Sequence, residues 1–378
     1  MSTSKLLRER LFEACRKGNT EIVRSLVGDK GCSPLTRNPV DKRTPLHTAC
    51  DHGFIEIVKY FIDEQGCDPE VKDGMQLTPL YLACANGHIS VVRYLVEKGC
   101  DLGIKDGEKR TLLHVACEND HIEVVQYLID YKKCNPLAKA GKTLNEDTPL
   151  HLACAKGHLN IVRHIVDKLG YDQLEFRNKH HSTPLHSACE NGHLNIVRHF
   201  IGTLKCDQDS VRDNVQNTPL HMASTHGHLK IVRYLIVEQN CDMYVKNELK
   251  AIPLHTACTN GHIEIVKFLI DKRGCDPCVR DGNQSTSLHR ACANGHITIV
   301  TYLIKERKCD PCARASKEFE VTPLHMACQY GHKDIVQDLI NTYNCDPCVQ
   351  DENLSTPMHY ACEYGHIGIV KYLTEVRK

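Results

Sequence analysis

One phrase recurs along the chain and limits what it can fold into: Thr183-Pro184-Leu185-His186-Ser187-Ala188-Cys189-Glu190-Asn191-Gly192-His193-Leu194-Asn195-Ile196-Val197-Arg198. A threonine before a proline opens a helix, because the hydroxyl accepts an orphan backbone N–H and proline has none to lose at the first helical position. Gly192 ends that helix. A second helix starts near Leu194, with Ile196, Val197, Phe200 and Ile201 on one apolar stripe. The unit is helix, tight turn and antiparallel helix, and two helices this short leave one side of each stripe wet. Copies must therefore stack. The opening position recurs at Thr44, Thr78, Thr111, Thr148, Thr183, Thr218, Ile252, Thr286, Thr322 and Thr356, at spacings of 33 to 37 residues.

That period, with T-P-L-H opening one helix and G-H the next, resembles the ankyrin repeat. Five copies read T-P-L-H unchanged, and five differ at one position, at Tyr81, Leu112, Ile252, Ser287 or Met358. The resemblance implies an all-α solenoid of about eleven helix-turn-helix repeats with short hairpin fingers, on the order of 100 Å long if each adds a packed helix layer. The whole of 1–378 is expected to be a single repeat domain. Residues 1–35 would be an N-terminal capping repeat, 36–345 nine internal repeats and 346–378 a C-terminal repeat. The first helix, about Ser4 to Lys17, fits a cap, since Arg8, Glu9, Arg10 and Lys17 make one face polar while Leu7, Leu11, Ala14 and Cys15 keep the other apolar.

Charge is balanced, with 47 Lys and Arg against 47 Asp and Glu, so no field favours nucleic acid or an anionic membrane. No apolar run reaches membrane-spanning length, and the start lacks a signal-peptide core. The 22 cysteines would suggest a disulfide framework in a secreted chain, but their positions argue otherwise. Ten share one slot of the first helix, from Cys15 to Cys362, and nine more stand just before the hairpins, from Cys32 to Cys345. Both are slots for a small buried hydrophobe, which free cysteine fills in a reducing compartment. A cytoplasmic or nuclear address is expected, not secretion.

The stretches between repeats, such as Gly66-Cys67-Asp68-Pro69 onward, carry turn chemistry. Asp63 to Cys67 is one residue longer than Glu97 to Cys100, which accounts for a usual spacing of 34 against a single 33. Two fingers carry insertions, Lys139 to Asp147 and Arg314 to Val321.

Histidine and cysteine invite catalytic and metal readings. His186 and Cys189 lie three apart on one helix, yet the pair recurs throughout the array, whereas an active site is made once. The histidine of T-P-L-H is expected to bond back toward its own capping threonine. The C-D-P-C segments, Cys275/Cys278, Cys309/Cys312 and Cys345/Cys348, each resemble half a zinc site or a redox dithiol. Zinc needs four sulfurs within roughly 4 Å of one another, and stacked helices are about 8–10 Å apart, so a structural role leads. No phosphate loop, nucleophile elbow or zinc-protease motif is present, and neither catalysis, a cofactor nor a metal is expected.

The resemblance implies recognition of protein partners by finger tips and by the two exposed residues before each Gly-His turn. Tyr330 and Tyr364 stand one repeat apart, with Gln329 and Glu363 beside them, and tyrosine is an enriched interface anchor. Phe319 and Val321 belong to an inserted finger. These residues make the C-terminal third the expected binding surface, followed by Met75 and Leu77 on an early finger and the pair Glu190 and Asn191. The reading is a non-enzymatic, monomeric scaffold or adaptor for protein partners. The alternative is the ankyrin targeting portion of a larger protein, a channel, kinase or ubiquitin-ligase adaptor, whose effector domain is absent here.

Overall fold

A computed structural model describes residues 3–169, 176–315 and 320–376. It falls into two compact units, 1–187 and 188–378, divided within the helix Pro184–Glu190. Among the described residues there are only helices, turns and one isolated bridge, Lys105 to Thr111.

The first helices are short and alike: Pro45–Asp51, Pro79–Ala85, Leu112–Glu118 and Pro149–Lys156 in unit 1, and Pro219–Thr225, Pro253–Thr259, Ser287–Ala293, Pro323–Gln329 and Pro357–Glu363 in unit 2. Within each unit every one packs on the next. The threonines before them are extended, as at Thr44 (φ −95°, ψ 166°), and the turns after them pass through left-handed glycines such as Gly53 (φ 77°). Gly53 has a second reason to be glycine: a Cβ there would lie 2.4 Å from the imidazole of His88 in the following repeat. The N-terminal helix runs Thr3–Lys17 and buries Leu11, Phe12, Ala14 and Cys15, while Leu7 is half-buried.

In most repeats the residue that separates a spacing of 34 from 33 lies in the second helix. In the Thr44 repeat the second helix is α-helical over Ile55–Lys59 and widens over Tyr60–Glu64, where the Gln65 N–H reaches the Tyr60 carbonyl at 3.1 Å, a five-residue step. In the Thr78 repeat the helix Ile89–Glu97 keeps its pitch and Lys98 N–H meets Tyr94 O at 3.0 Å, a four-residue step. The extra residue that the sequence places in the linker is thus absorbed inside the helix as a π turn. The same widening occurs over Tyr127–Tyr131, Tyr234–Glu238, Phe268–Lys272 and Tyr302–Glu306.

Each finger is a tight loop closed on an aspartate or its equivalent. Asp73 Oδ1 accepts from Met75 N–H (2.8 Å) and Leu77 N–H (2.9 Å), and its own N–H donates to Leu77 O (2.9 Å). Asp106, Asp213 and Asp281 do the same in their fingers. Neighbouring fingers are joined by one backbone bond, Gly74 N–H to Asp41 O in unit 1 and Gly282 N–H to Leu249 O in unit 2, each 2.7 Å.

Candidate functional site

The T-P-L-H histidine does more than cap its own helix. Thr44 N–H donates to His47 Nδ1 at 3.2 Å, which leaves the proton on Nε2, and Nε2–H donates to Leu77 O at 3.2 Å, the last residue before the next repeat. The side chain is fully buried. His114 reaches Asp147 O, His151 reaches Ser182 O, His221 reaches Ala251 O, His289 reaches Val321 O and His325 reaches Ser355 O in the same way. In the Thr78 repeat Tyr81 stands in the slot, and its hydroxyl donates to Asp106 Oδ2 at 2.6 Å.

The Gly-His histidine points the other way. Its Nε2–H donates to the carbonyl near the end of the preceding repeat's first helix: His88 to Asp51 O, His121 to Ala85 O and His158 to Glu118 O in unit 1, and His228, His262, His296, His332 and His366 to their counterparts in unit 2, at 2.8 to 3.0 Å. Typical repeats thus carry two imidazoles that cross the repeat boundary, one to a loop carbonyl and one to a helix end. Burial disfavours the charged form of the first set: His221 and His289 are pushed down to about 4, and His47, His114, His151, His255 and His325 are lowered for the same reason.

The first-helix cysteines are buried from Cys15 to Cys328; Cys362, on the helix Pro357–Glu363, is exposed. Burial raises the thiols, with Cys100, Cys206 and Cys275 at about 11 and Cys241, Cys309 and Cys328 at about 12. The buried first-helix thiols pack as small hydrophobes and are poor nucleophiles. Among the described residues no three His, Cys, Asp or Glu side chains converge to hold a metal ion.

The expected contact residues separate into three groups. Tyr330 and Tyr364 are 54% and 51% exposed, Glu363, Glu190 and Asn191 are exposed, and Met75 at its finger tip is 69% exposed. Leu77 and Val321 are corrected: they are 7% and 8% exposed, because the residue before the helix cap turns inward while its carbonyl takes the histidine bridge. Leu77 is turned into the core, and Val321 shows only the small part of its side chain that lines the groove beside Tyr330. Phe319 lies outside the described residues.

Gln329 is half-buried, and its Nε2 donates to Tyr364 Oη at 3.1 Å, so it spans the gap between the two rungs. Gln329 and Tyr330 also line a groove of about 230 Å³ with Asn283, Arg290, Ala293 and Met326. Arg290 is held in place by the fully buried Asp281, which accepts from its Nε at 2.7 Å and pairs with its Nη2. In the next two repeats the position of Arg290 is taken by Met326 and Tyr360, and Tyr360 Oη donates to Asp351 Oδ2 at 2.8 Å. Arg290, Met326 and Tyr360 were not singled out from sequence. Their signal is periodic: each stands four residues after the helix-opening threonine, a position that varies while its neighbours repeat.

A family model described as ankyrin repeats (3 copies) matches residues 11–106, 98–177, 169–247, 235–315 and 309–377. No curated protein matches the chain.

Proposed function

The chain belongs to the ankyrin-repeat family, whose repeats are generally protein–protein interaction modules, and from that premise we propose that it is a non-enzymatic scaffold that docks a polypeptide on the first-helix face of residues 283–364. The observation that carries this reading is the pair Tyr330 and Tyr364, more than half exposed on consecutive rungs beside a groove, with Tyr364 held by Gln329. A large amphipathic ring that is already held loses little entropy on binding, and tyrosine, arginine and methionine are the side chains enriched at interface cores. Glu363, exposed next to Tyr364, supplies a charge that can set the register of a bound segment. Met75 and the pair Glu190 and Asn191 are secondary contact points. The burial of so many thiols supports a reducing compartment, cytoplasmic or nuclear, and we take the scaffold to be monomeric.

The test is capture of partners from source-cell lysate under reducing conditions by three forms of the full chain: unaltered, Tyr330→Ala with Tyr364→Ala, and Met75→Ala. A partner lost by the tyrosine variant and kept by Met75→Ala is the expected result. Equal capture by all three would overturn the assignment of this face.

A further inference from the structure

In the C-D-P-C segments a sulfur of one repeat meets a sulfur of the next. Cys312 Sγ lies 3.4 Å from Cys345 Sγ, and Cys345 belongs to the following repeat. Cys278 and Cys309 of its following repeat occupy the same two slots one repeat earlier. In each pair one thiol is exposed, Cys278 or Cys312, and the other is buried, Cys309 at 7% and Cys345 at 4% exposure.

The geometry is a property of the slot. The third residue after each pre-hairpin cysteine reaches over the next repeat: in unit 1 Glu70 Oε1 accepts from Asp101 N–H at 2.7 Å, and in unit 2 Tyr244 Oη accepts from Asp276 N–H at 3.1 Å. The pre-hairpin cysteine points back toward the preceding finger, as Cys345 Sγ does toward Pro311 O at 3.6 Å and Cys100 Sγ toward Pro69 O at 4.0 Å. Where cysteine fills the reaching slot, two sulfurs meet. A disulfide needs them about 2.05 Å apart, so the pair at 3.4 Å must close by roughly 1.3 Å, within the reach of a χ1 adjustment.

We propose that Cys312 with Cys345, and Cys278 with Cys309, are two reversible redox sites at which a hydroperoxide converts neighbouring thiols into a disulfide joining consecutive repeats. The exposed sulfur meets the oxidant. Cys312, as thiolate, attacks one peroxide oxygen; the S–O bond forms, the O–O bond breaks, and the displaced hydroxide leaves as water with the thiol proton, giving a sulfenic acid. Cys345 sulfur then attacks Cys312 sulfur. The S–S bond forms, the S–O bond breaks, and the departing hydroxide takes the Cys345 proton as a second water. The two thiols have lost two electrons and two protons, and one peroxide has become two waters. The buried partner is shielded from the oxidant and serves only to resolve the sulfenic acid, which protects the site from irreversible overoxidation.

The consequence is local. A Cys312–Cys345 bridge would enclose residues 313–344, the whole Thr322 repeat with Met326, Gln329 and Tyr330, and hold it closed against the opening that repeat arrays undergo locally. This proposal stands on the sulfur geometry and is independent of what docks there.

The experiment treats the reduced full chain with hydrogen peroxide, blocks free thiols, digests without reductant using trypsin and maps cross-linked peptides by mass spectrometry. Peptide 309–314 should be joined to 334–371 through Cys345 and to 274–280 through Cys278, each bridge reversed by dithiothreitol. Cys312→Ser should abolish the first bridge and leave the second, and Cys362→Ser, which removes an exposed thiol elsewhere, should leave both. Hydrogen exchange across Pro323–Gln329 and Lys333–Asn341 should slow on oxidation in the unaltered chain and not in Cys312→Ser. Peptide 309–314 closed on itself through Cys309 and Cys312, or sulfinic acid without any bridge, would overturn the proposal. So would the same pattern of bridges from protein unfolded in guanidinium before oxidation, since the fold would then play no part.

Discussion

Units 1 and 2 share a scaffold and differ on the face it presents. In both, one histidine of each typical repeat bridges forward to the loop carbonyl of the next repeat and another bridges back to the helix end of the previous one. Above that frame, unit 1 closes its first-helix face with ion pairs. Arg43 joins Asp73 (3.3 Å) and Asp51 (3.4 Å), Asn86 adds a bond to Asp51 (3.0 Å), and Arg110 holds Asp106 (2.7 Å) and Glu118 (2.8 Å). Those charges are satisfied at home. The corresponding face of unit 2 leaves two tyrosine rings out in solvent beside a methionine and a groove. The difference teaches that the same frame can carry a charged, self-paired face or one with exposed aromatic rings, which is where the proposed docking face lies.

The largest effect expected is on the shared frame, through pH. A histidine whose folded pKa lies below its unfolded value of about 6.5 lets the unfolded chain take up protons first. Stability is therefore full above about pH 6.5 and is lost as pH falls toward the folded value, about 4 for His221 and His289. Each such group contributes a slope of up to about 1.4 kcal/mol per pH unit. Unit 1 has His47, His114 and His151 in this condition, with Tyr81 replacing one imidazole, and unit 2 has His221, His255, His289 and His325. Both units should weaken between pH 6.5 and 4.5 in limited proteolysis read by mass spectrometry. His221→Gln in the full chain should flatten the fall of the urea midpoint. A midpoint unchanged from pH 7.5 to pH 5 would break the comparison at its base.

Next comes the core. Leu80 and Leu324 fill the same slot in the two units and both are fully buried. Each changed to Ala should cost about 2–5 kcal/mol by chemical denaturation, since the lost contacts and the cavity are alike. Costs that differ by more than about 2 kcal/mol would show that the two frames are not equivalent. Exchange should rise first in the damaged repeat and its neighbours, as nearest-neighbour stacking requires.

The frame was legible because its physics repeats. Thr-Pro fixes a helix start and Gly a helix end wherever they fall, and ten copies make the pattern unmistakable. The face was legible only in part. Tyr330 and Tyr364 occupy positions that vary within a constant background, which marks them as surface. Val321 and Leu77 misled because an apolar residue in a turn-rich segment reads as exposed, whereas each is the inward-turned residue whose carbonyl takes a histidine bridge. The cysteine pairs were hidden by the C-x-x-C spacing itself, which draws attention to sulfurs three residues apart when the sulfurs that meet are 33 apart. The π turn was hidden because one extra residue leaves no compositional trace of whether a linker or a helix absorbs it.

The smallest effect expected is a gain, and it sits where the frame breaks its own rule. Ser224 fills the first-helix slot that holds cysteine at Cys189 and Cys258, and it is fully buried with a hydroxyl that has no hydrogen-bond partner. A hydroxyl taken out of water without a partner costs about 1–3 kcal/mol, and a thiol in the same space costs far less because sulfur is weakly solvated to begin with. Ser224→Cys should therefore raise stability by about 1–2 kcal/mol, read as a higher urea midpoint with an unchanged slope. Ser224→Ala separates the two sources of the gain. If alanine recovers most of it, desolvation of the hydroxyl was the cost; if only cysteine does, the slot needs the volume of the sulfur, and the buried cysteines throughout both units are there for packing. A loss of stability with both substitutions would mean that the Ser224 hydroxyl is held in the folded chain after all, and that this repeat has a polar contact its neighbours lack.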